Sequence, residues 1–224
     1  APSDLRFEFK LLAGENEIDQ TVTIENPGDT SLAPVLEYTP LDAYSSDGLT
    51  GSAHHKLYVR DYHCGAYAAV RNGPRPVVRF QRSGWTGTAP CAQVVGNGDP
   101  STDWGYDGLT SAVWGGLTMG LSGIAIWGSD IGGFFALLDR ALTPEMLIRW
   151  VQFGAVSGVM RTQHNGFALP AKVRPQVYDD DQIGNWKRYA KLRTQLYPYI
   201  AAAADAYRDS GLPIMRHLAG THPD

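Results

Sequence analysis

Little in this sequence belongs to the chemistry of nucleotides, metals or membranes. No Gly-rich phosphate loop opens a helix, so a nucleotide cofactor is not implied. His, Cys and Asp do not recur at short ligand spacings, which argues against a metal centre. Cysteine is scarce: Cys64 and Cys91 are the only two. They allow one bridge at most, and their spacing reads most simply as two buried or half-buried thiols. Basic residues form no run, and 19 Lys and Arg stand against 23 Asp and Glu for a net charge of -4. Such a balance leaves no footprint for nucleic acid. The N-terminal Ala1-Pro2-Ser3-Asp4 has neither a basic n-region nor an apolar h-region. The longest charge-free apolar stretch, residues 109–127, is broken by glycines and hydroxyl residues and does not read as a membrane span. The expectation is a soluble protein with no transmembrane segment, cofactor or metal and a signal peptide either absent or already removed, its compartment left open.

What is present points elsewhere. The 224 residues include 25 Gly and 14 Pro and are 11% aromatic, which suits a loop-rich fold with an aromatic-lined site. Residues 5–12 and 19–25 alternate apolar and polar, with turn signals at Gly14-Glu15-Asn16 and Asn26-Pro27-Gly28-Asp29. This predicts a half-solvated antiparallel hairpin. From about residue 36 the pattern changes. Helical spacing covers residues 51–71, 111–122, about 143–156 and 182–210, with Thr143-Pro144-Glu145 as a cap followed by Pro at the first helical position. Between them lie apolar strands at Val77-Val78-Arg79-Phe80, Gln93-Val94-Val95, Ile124-Ala125-Ile126-Trp127 and Val159-Met160-Arg161. Apolar strands alternating with helices predict an α/β fold with a parallel sheet covered on both faces.

In such sheets the functional groups gather beyond the carboxyl ends of the strands. Here each strand end is followed by a polar cluster: Arg82-Ser83-Gly84-Trp85, then Gly98-Asp99, then Ser129-Asp130-Ile131-Gly132-Gly133-Phe134, then Arg161-Thr162-Gln163-His164-Asn165. Aromatic faces beside Asp, Arg, His and Asn suit a neutral polyhydroxylated ligand. The rings stack on the apolar face of a sugar while the charged groups bond its hydroxyls.

These clusters, in this order and with Asp103-Trp104 behind Gly98-Asp99, resemble glycoside hydrolase family 31, over residues from about 37 to the C-terminus. The resemblance implies a (β/α)8 barrel and retaining hydrolysis of α-linked sugars by two carboxylates. It implies Asp99 as the general acid/base and Arg82 as a binder of a sugar hydroxyl near that acid. Asp130 would organise the pocket, Trp127 and Phe134 would line it, and His164 would bond a hydroxyl of the sugar being cleaved. The expected partner is an α-glucoside or oligosaccharide.

Two departures from the family pattern stand out. Glu37-Tyr38-Thr39-Pro40-Leu41-Asp42 resembles the tail of the nucleophile motif, yet Leu36 holds the position of its Gly and Pro34 that of the nucleophile. Proline has no ionisable group, so Glu37 and Asp42 are the only nearby carboxylates. A Trp common two residues before the acid's glycine is Gly96 here. The expected organisation is a hairpin-like segment over 1–35, the later half of a (β/α)8 barrel (about strands 4/5 to 8) over 36–210, and the start of a β domain over 211–224. Open barrel edges would favour self-association.

Each assignment has a plainer alternative. Asn97-Gly98-Asp99-Pro100 is also good turn chemistry. Arg82 and Asp130 could pair as a structural ion bridge, and Asp179-Asp180-Asp181 could cap the last helix through Asp181. The whole chain could be an inactive, sugar-binding remnant.

Overall fold

The computed structural model describes residues 6–11, 20–25, 36–37, 50–136, 142–164 and 174–222. The chain divides into two compact units, Ala1–Pro74 and Arg75–Asp224.

In the first unit the alternating segments become β1 (Arg6–Leu11) and β2 (Gln20–Glu25), paired antiparallel with Arg6 opposite Glu25 and Leu11 opposite Gln20. A short β3 (Leu36–Glu37) joins the other side of β2, also antiparallel. Helix α1 (Gly51–Val70) begins where the Thr50 hydroxyl accepts the Ala53 N–H at 3.2 Å, satisfying one of the free donors of the first turn. It ends just before Asn72-Gly73-Pro74, a sequence that cannot extend it.

The second unit is built on a four-stranded parallel sheet: β4 (Phe80–Gln81), β5 (Val94–Gly96), β6 (Trp127–Asp130) and β7 (Val159–Arg161). The spatial order β4-β5-β6-β7 follows the chain. Helix α2 (Leu109–Leu121) connects β5 to β6, and α3 (Pro144–Val156) connects β6 to β7. Winding that never reverses is the arrangement of a (β/α)8 barrel; a doubly wound sheet has a switch point.

Side chains on β6 alternate between the two faces of the sheet. Trp127 and Ser129 face the helices. The Trp127 ring meets Phe153 of α3 at 6.2 Å between centroids, and Ser129 Oγ accepts the Trp150 indole N–H at 2.8 Å. Their core includes Ala112, Ile131, Met146, Leu147, Trp150 and Val151, all at most 2% exposed. Close approach needs small residues. A Cβ on Gly116 of α2 would stand 2.7 Å from the Trp127 ring, and one on Gly154 of α3 would stand 2.7 Å from Ile131.

The C-terminal region closes over α2. Ile214 donates its N–H to Ala125 O at 3.2 Å, the Tyr207 hydroxyl donates to Gly123 O at 2.7 Å, and Pro213 packs where Gly120 has no side chain. The Arg193 guanidinium reaches back to the end of α3, donating to the carbonyls of Ser157 and Gly158. It satisfies acceptors that a helix end leaves open.

Three expectations need correction. The continuous helix over 182–210 is two helices, α4 (Ile183–Gln195) and α5 (Tyr197–Ser210), because Pro198 lacks the N–H that would continue the first. Asp181 is not the cap of α4. Gln182 holds that position, and Asp179 organises the entry by accepting the Gln176 N–H at 2.8 Å. Neither cysteine is a free thiol.

Candidate active site

At the carboxyl end of the sheet, two arginine–carboxylate pairs sit side by side. Arg82 follows β4 and Asp99 follows β5; Arg82 Nη2 donates to Asp99 Oδ1 at 2.5 Å. Gly98, at φ +79, turns the chain so that Asp99 comes round to face it. The pair is open to solvent, with the Arg82 side chain 67% exposed and that of Asp99 25%.

The second pair is deeper. Asp130 ends β6 with its side chain only 2% exposed, and Arg161 at the end of β7 donates from Nη2 to its Oδ1 at 2.6 Å. Arg161 also donates to Gln163 Oε1 and lies 4.1 Å above the Phe80 ring of β4. Phe80 and Arg161 thus meet from the two outer strands. In a flat sheet those strands would be roughly 14 Å apart, so the meeting requires a strongly curled sheet. The Phe80 ring passes over Gly96 of β5, where a Cβ would stand only 2.5 Å from it. The space left by the missing side chain at Gly96 is therefore filled by Phe80.

The carboxyl of Asp130 is pushed above its ordinary range, chiefly by burial. Arg161 opposes this, the charge of Asp99 adds to it, and Arg82 subtracts. The four groups share one electrostatic environment. The possible Arg82–Asp130 bridge is not what forms: each carboxylate has its own arginine.

Backbone bonds tie the two loops together. Gly132 and Gly133, both at positive φ, fold the chain back after Asp130. The N–H groups of Phe134 and Phe135 then both donate to Pro100 O, at 2.7 and 3.1 Å, and Thr102 N–H donates to Phe135 O at 3.0 Å. Phe134 is thereby brought beside the Asp99 loop, its ring edge-on to Phe135 at 4.9 Å. His164 lies exposed just beyond β7, three residues after Arg161.

Trp127 is not brought to this mouth. It is 2% exposed within the helix-facing core, so its expected place as a pocket wall is corrected. A buried apolar strand gives no sequence clue to which of its residues face inward. Pro34 and Asp42 lie outside the described residues, as does the side chain of Glu37. Sequence reasoning missed Phe80, Arg161 as the partner of Asp130, and Arg174. The second was at least visible in the cluster after the fourth strand. Among the described residues, no group of three or more His, Cys, Asp or Glu is placed to hold a metal ion, and no helix is long and apolar enough to cross a membrane.

Residues 13–203 match the family model described as "Glycosyl hydrolases family 31 TIM-barrel domain". The chain belongs to glycoside hydrolase family 31. Family 31 relatives include a sulfoquinovosidase of Escherichia coli, 31% identical over 84% of this chain and 28% of its own length. An α-xylosidase of Emericella nidulans is 29% identical over 80% of this chain and 22% of its own. A solved family 31 sulfoquinovosidase from E. rectale, in complex with an aza-sugar inhibitor, superposes with a TM-score of 0.73 at 30% identity. That superposition covers 83% of this chain and 28% of the other. The chain thus spans between 22% and 28% of the length of these relatives, and its parallel sheet is part of the family 31 barrel.

Proposed function

We propose that this chain carries the acid/base side of a retaining family 31 active site, acting on α-linked glucosides, with Asp99 as the general acid/base. The observation that carries this reading is the Arg82–Asp99 bond at the open mouth of the sheet, directly beside the buried Asp130–Arg161 pair. In retaining hydrolysis the acid protonates the departing glycosidic oxygen and then, as a base, takes a proton from the attacking water. Asp99 suits both steps because its side chain is reachable from solvent. Its arginine is movable: when a sugar hydroxyl replaces the carboxylate as acceptor of Arg82, Asp99 is freed to hold the proton it delivers. Asp130, locked by Arg161, is the fixed anion of the pocket. Phe134 and His164 line its rim, the first against the sugar ring and the second toward a hydroxyl.

The relatives differ in the glycoside their names record, so glucose is our reading of a neutral pocket. A second reading, a sugar-binding remnant without turnover, is favoured by Pro34 at the position the family gives to the nucleophile. The test is to assay an aryl α-glucoside with the wild-type chain and with Asp99→Asn, and to titrate both with an aza-sugar by calorimetry. Acid/base catalysis is worth roughly 100- to 10,000-fold. A loss of that size in the variant, with aza-sugar binding retained, supports the role of Asp99. Binding without turnover in the wild type selects the remnant. Turnover that Asp99→Asn leaves unchanged refutes the assignment.

A further inference from the structure

The Gly132–Gly133 turn is gripped by a residue that no sequence motif singled out. Arg174 donates from Nη2 to the carbonyls of both glycines, at 3.2 Å to Gly132 O and 2.5 Å to Gly133 O. Those glycines are the hinge between Asp130 and the strip of backbone, Phe134 to Phe135, that is bonded to Pro100. Pro100 is the immediate neighbour of Asp99. A single guanidinium therefore holds the turn that leads from Asp130 into the backbone bonds between the two carboxylate loops.

We propose that Arg174 is a positioning residue that clamps this turn from beneath and so fixes the Asp99 loop against the end of β6. The inference rests on reading Asp99 and Asp130 as the site. Its physical support is the cost of the arrangement. The Arg174 Nη1 atom is buried and has no hydrogen-bond partner, and burial lowers the guanidinium to about 10, still cationic at neutral pH. A buried donor left unsatisfied is destabilising, so this arginine is a poor choice if the turn needed stability alone. Both bonds leave from Nη2, and the planar guanidinium fixes where that nitrogen points, whereas a lysine ammonium on its flexible stem turns freely and would not hold both carbonyls in place. Its charge also lies close enough to Asp130 for the carboxylate to favour the cation. The charged groups facing Asp130 are then Arg161, Arg174, Asp99 and Arg82.

The test compares wild type, Arg174→Lys and Arg174→Met by amide hydrogen exchange and by carboxyl-carbon NMR of labelled aspartate, with Asp130→Asn assigning the resonance. The clamp predicts that exchange at Phe134 and Phe135 rises tenfold or more in both variants while the amides of α3 stay protected. It also predicts that the Asp130 midpoint moves up in Arg174→Met and stays near its original value in Arg174→Lys, which keeps the charge. Unchanged exchange at Phe134 and Phe135 in a folded variant overturns the proposal, as does a loss of protection spread evenly through α3. If Arg174→Met does not fold, the same two outcomes in Arg174→Lys decide. None of these readouts requires turnover. A failure of aza-sugar binding in the wild type would count against the functional reading and leave the clamp standing.

Discussion

The guanidinium of Arg161 holds the buried carboxylate of Asp130 at 2.6 Å, bringing together residues thirty-one positions apart at the ends of adjacent strands. Removing one partner of such a pair leaves the other charge stranded, which costs more than the pair itself contributes. Arg161→Met should therefore destabilise the chain by about 3 kcal/mol at neutral pH. The sign with pH follows from the raised carboxyl of Asp130. The folded state holds this proton more tightly than the unfolded one, so stability falls as pH rises from the ordinary aspartate value through the folded one. Without Arg161 the carboxyl rises further and that window widens. Urea denaturation across the acid range should show Arg161→Met recovering stability as pH falls. Asp130→Asn in the same background should flatten the profile and restore much of the loss at neutral pH. A deficit in Arg161→Met that is independent of pH would sink this account.

Phe80 and Gly96 are matched in the same way. A Cβ on Gly96 would lie 2.5 Å from the Phe80 ring, and that ring lies under Arg161. Gly96→Ala should cost about 1–3 kcal/mol as an overpacking change. Truncating the ring makes room, so Phe80→Leu with Gly96→Ala should be more stable than the sum of the two single changes predicts. A thermal denaturation cycle measures the coupling. Strict additivity would show that the ring does not occupy that space.

These two relationships mark where the sequence was legible and where it was not. Local chemistry read well: Thr143 caps α3 with its hydroxyl accepting the Met146 N–H, and Pro144 stands at the start of the helix. The strand–helix alternation gave the parallel sheet, and the polar clusters gave Arg82, Asp99, Asp130, Phe134 and His164 their places at or just beyond strand ends. Phase was not legible. The apolar pattern places the strand at 124–127, but pairing begins only at Trp127, and its continuous apolarity hides which face Trp127 takes. Pairing between distant strands was equally hidden. Arg82 and Asp99 are seventeen residues apart, and nothing local says that this arginine chooses Asp99 rather than Asp130. Arg174 has no periodicity or motif to mark it, because its role is to serve two backbone carbonyls whose position only the folded chain sets.

The turn between the two carboxylate loops offers the sharpest check on the geometry. At Gly133, φ is +76 and a Cβ would meet Ser101 O at 2.7 Å and Thr102 Cα at 3.1 Å. Both obstacles are backbone, so neither can rotate away. At Gly132, φ is +86 but the neighbours are side-chain atoms of Leu142, Arg174 and Leu147 at 3.0 to 3.3 Å. Gly105 has nothing within 4 Å of a Cβ and an ordinary φ. A left-handed conformation costs a side-chain-bearing residue about 1–2 kcal/mol, to which the backbone collision at Gly133 adds. The predicted order of destabilisation is Gly133→Ala at about 3 kcal/mol, Gly132→Ala at about 2 kcal/mol, and Gly105→Ala near zero or slightly stabilising. Gly133→Ala should also weaken aza-sugar binding, because it pushes the Phe134–Pro100 contact apart and moves Asp99 away from the end of β6. Calorimetric titration alongside denaturation separates the two effects. If Gly132→Ala proved the more damaging of the pair, or if Gly133→Ala bound the aza-sugar as tightly as wild type, the link between these loops would not be what holds the site together.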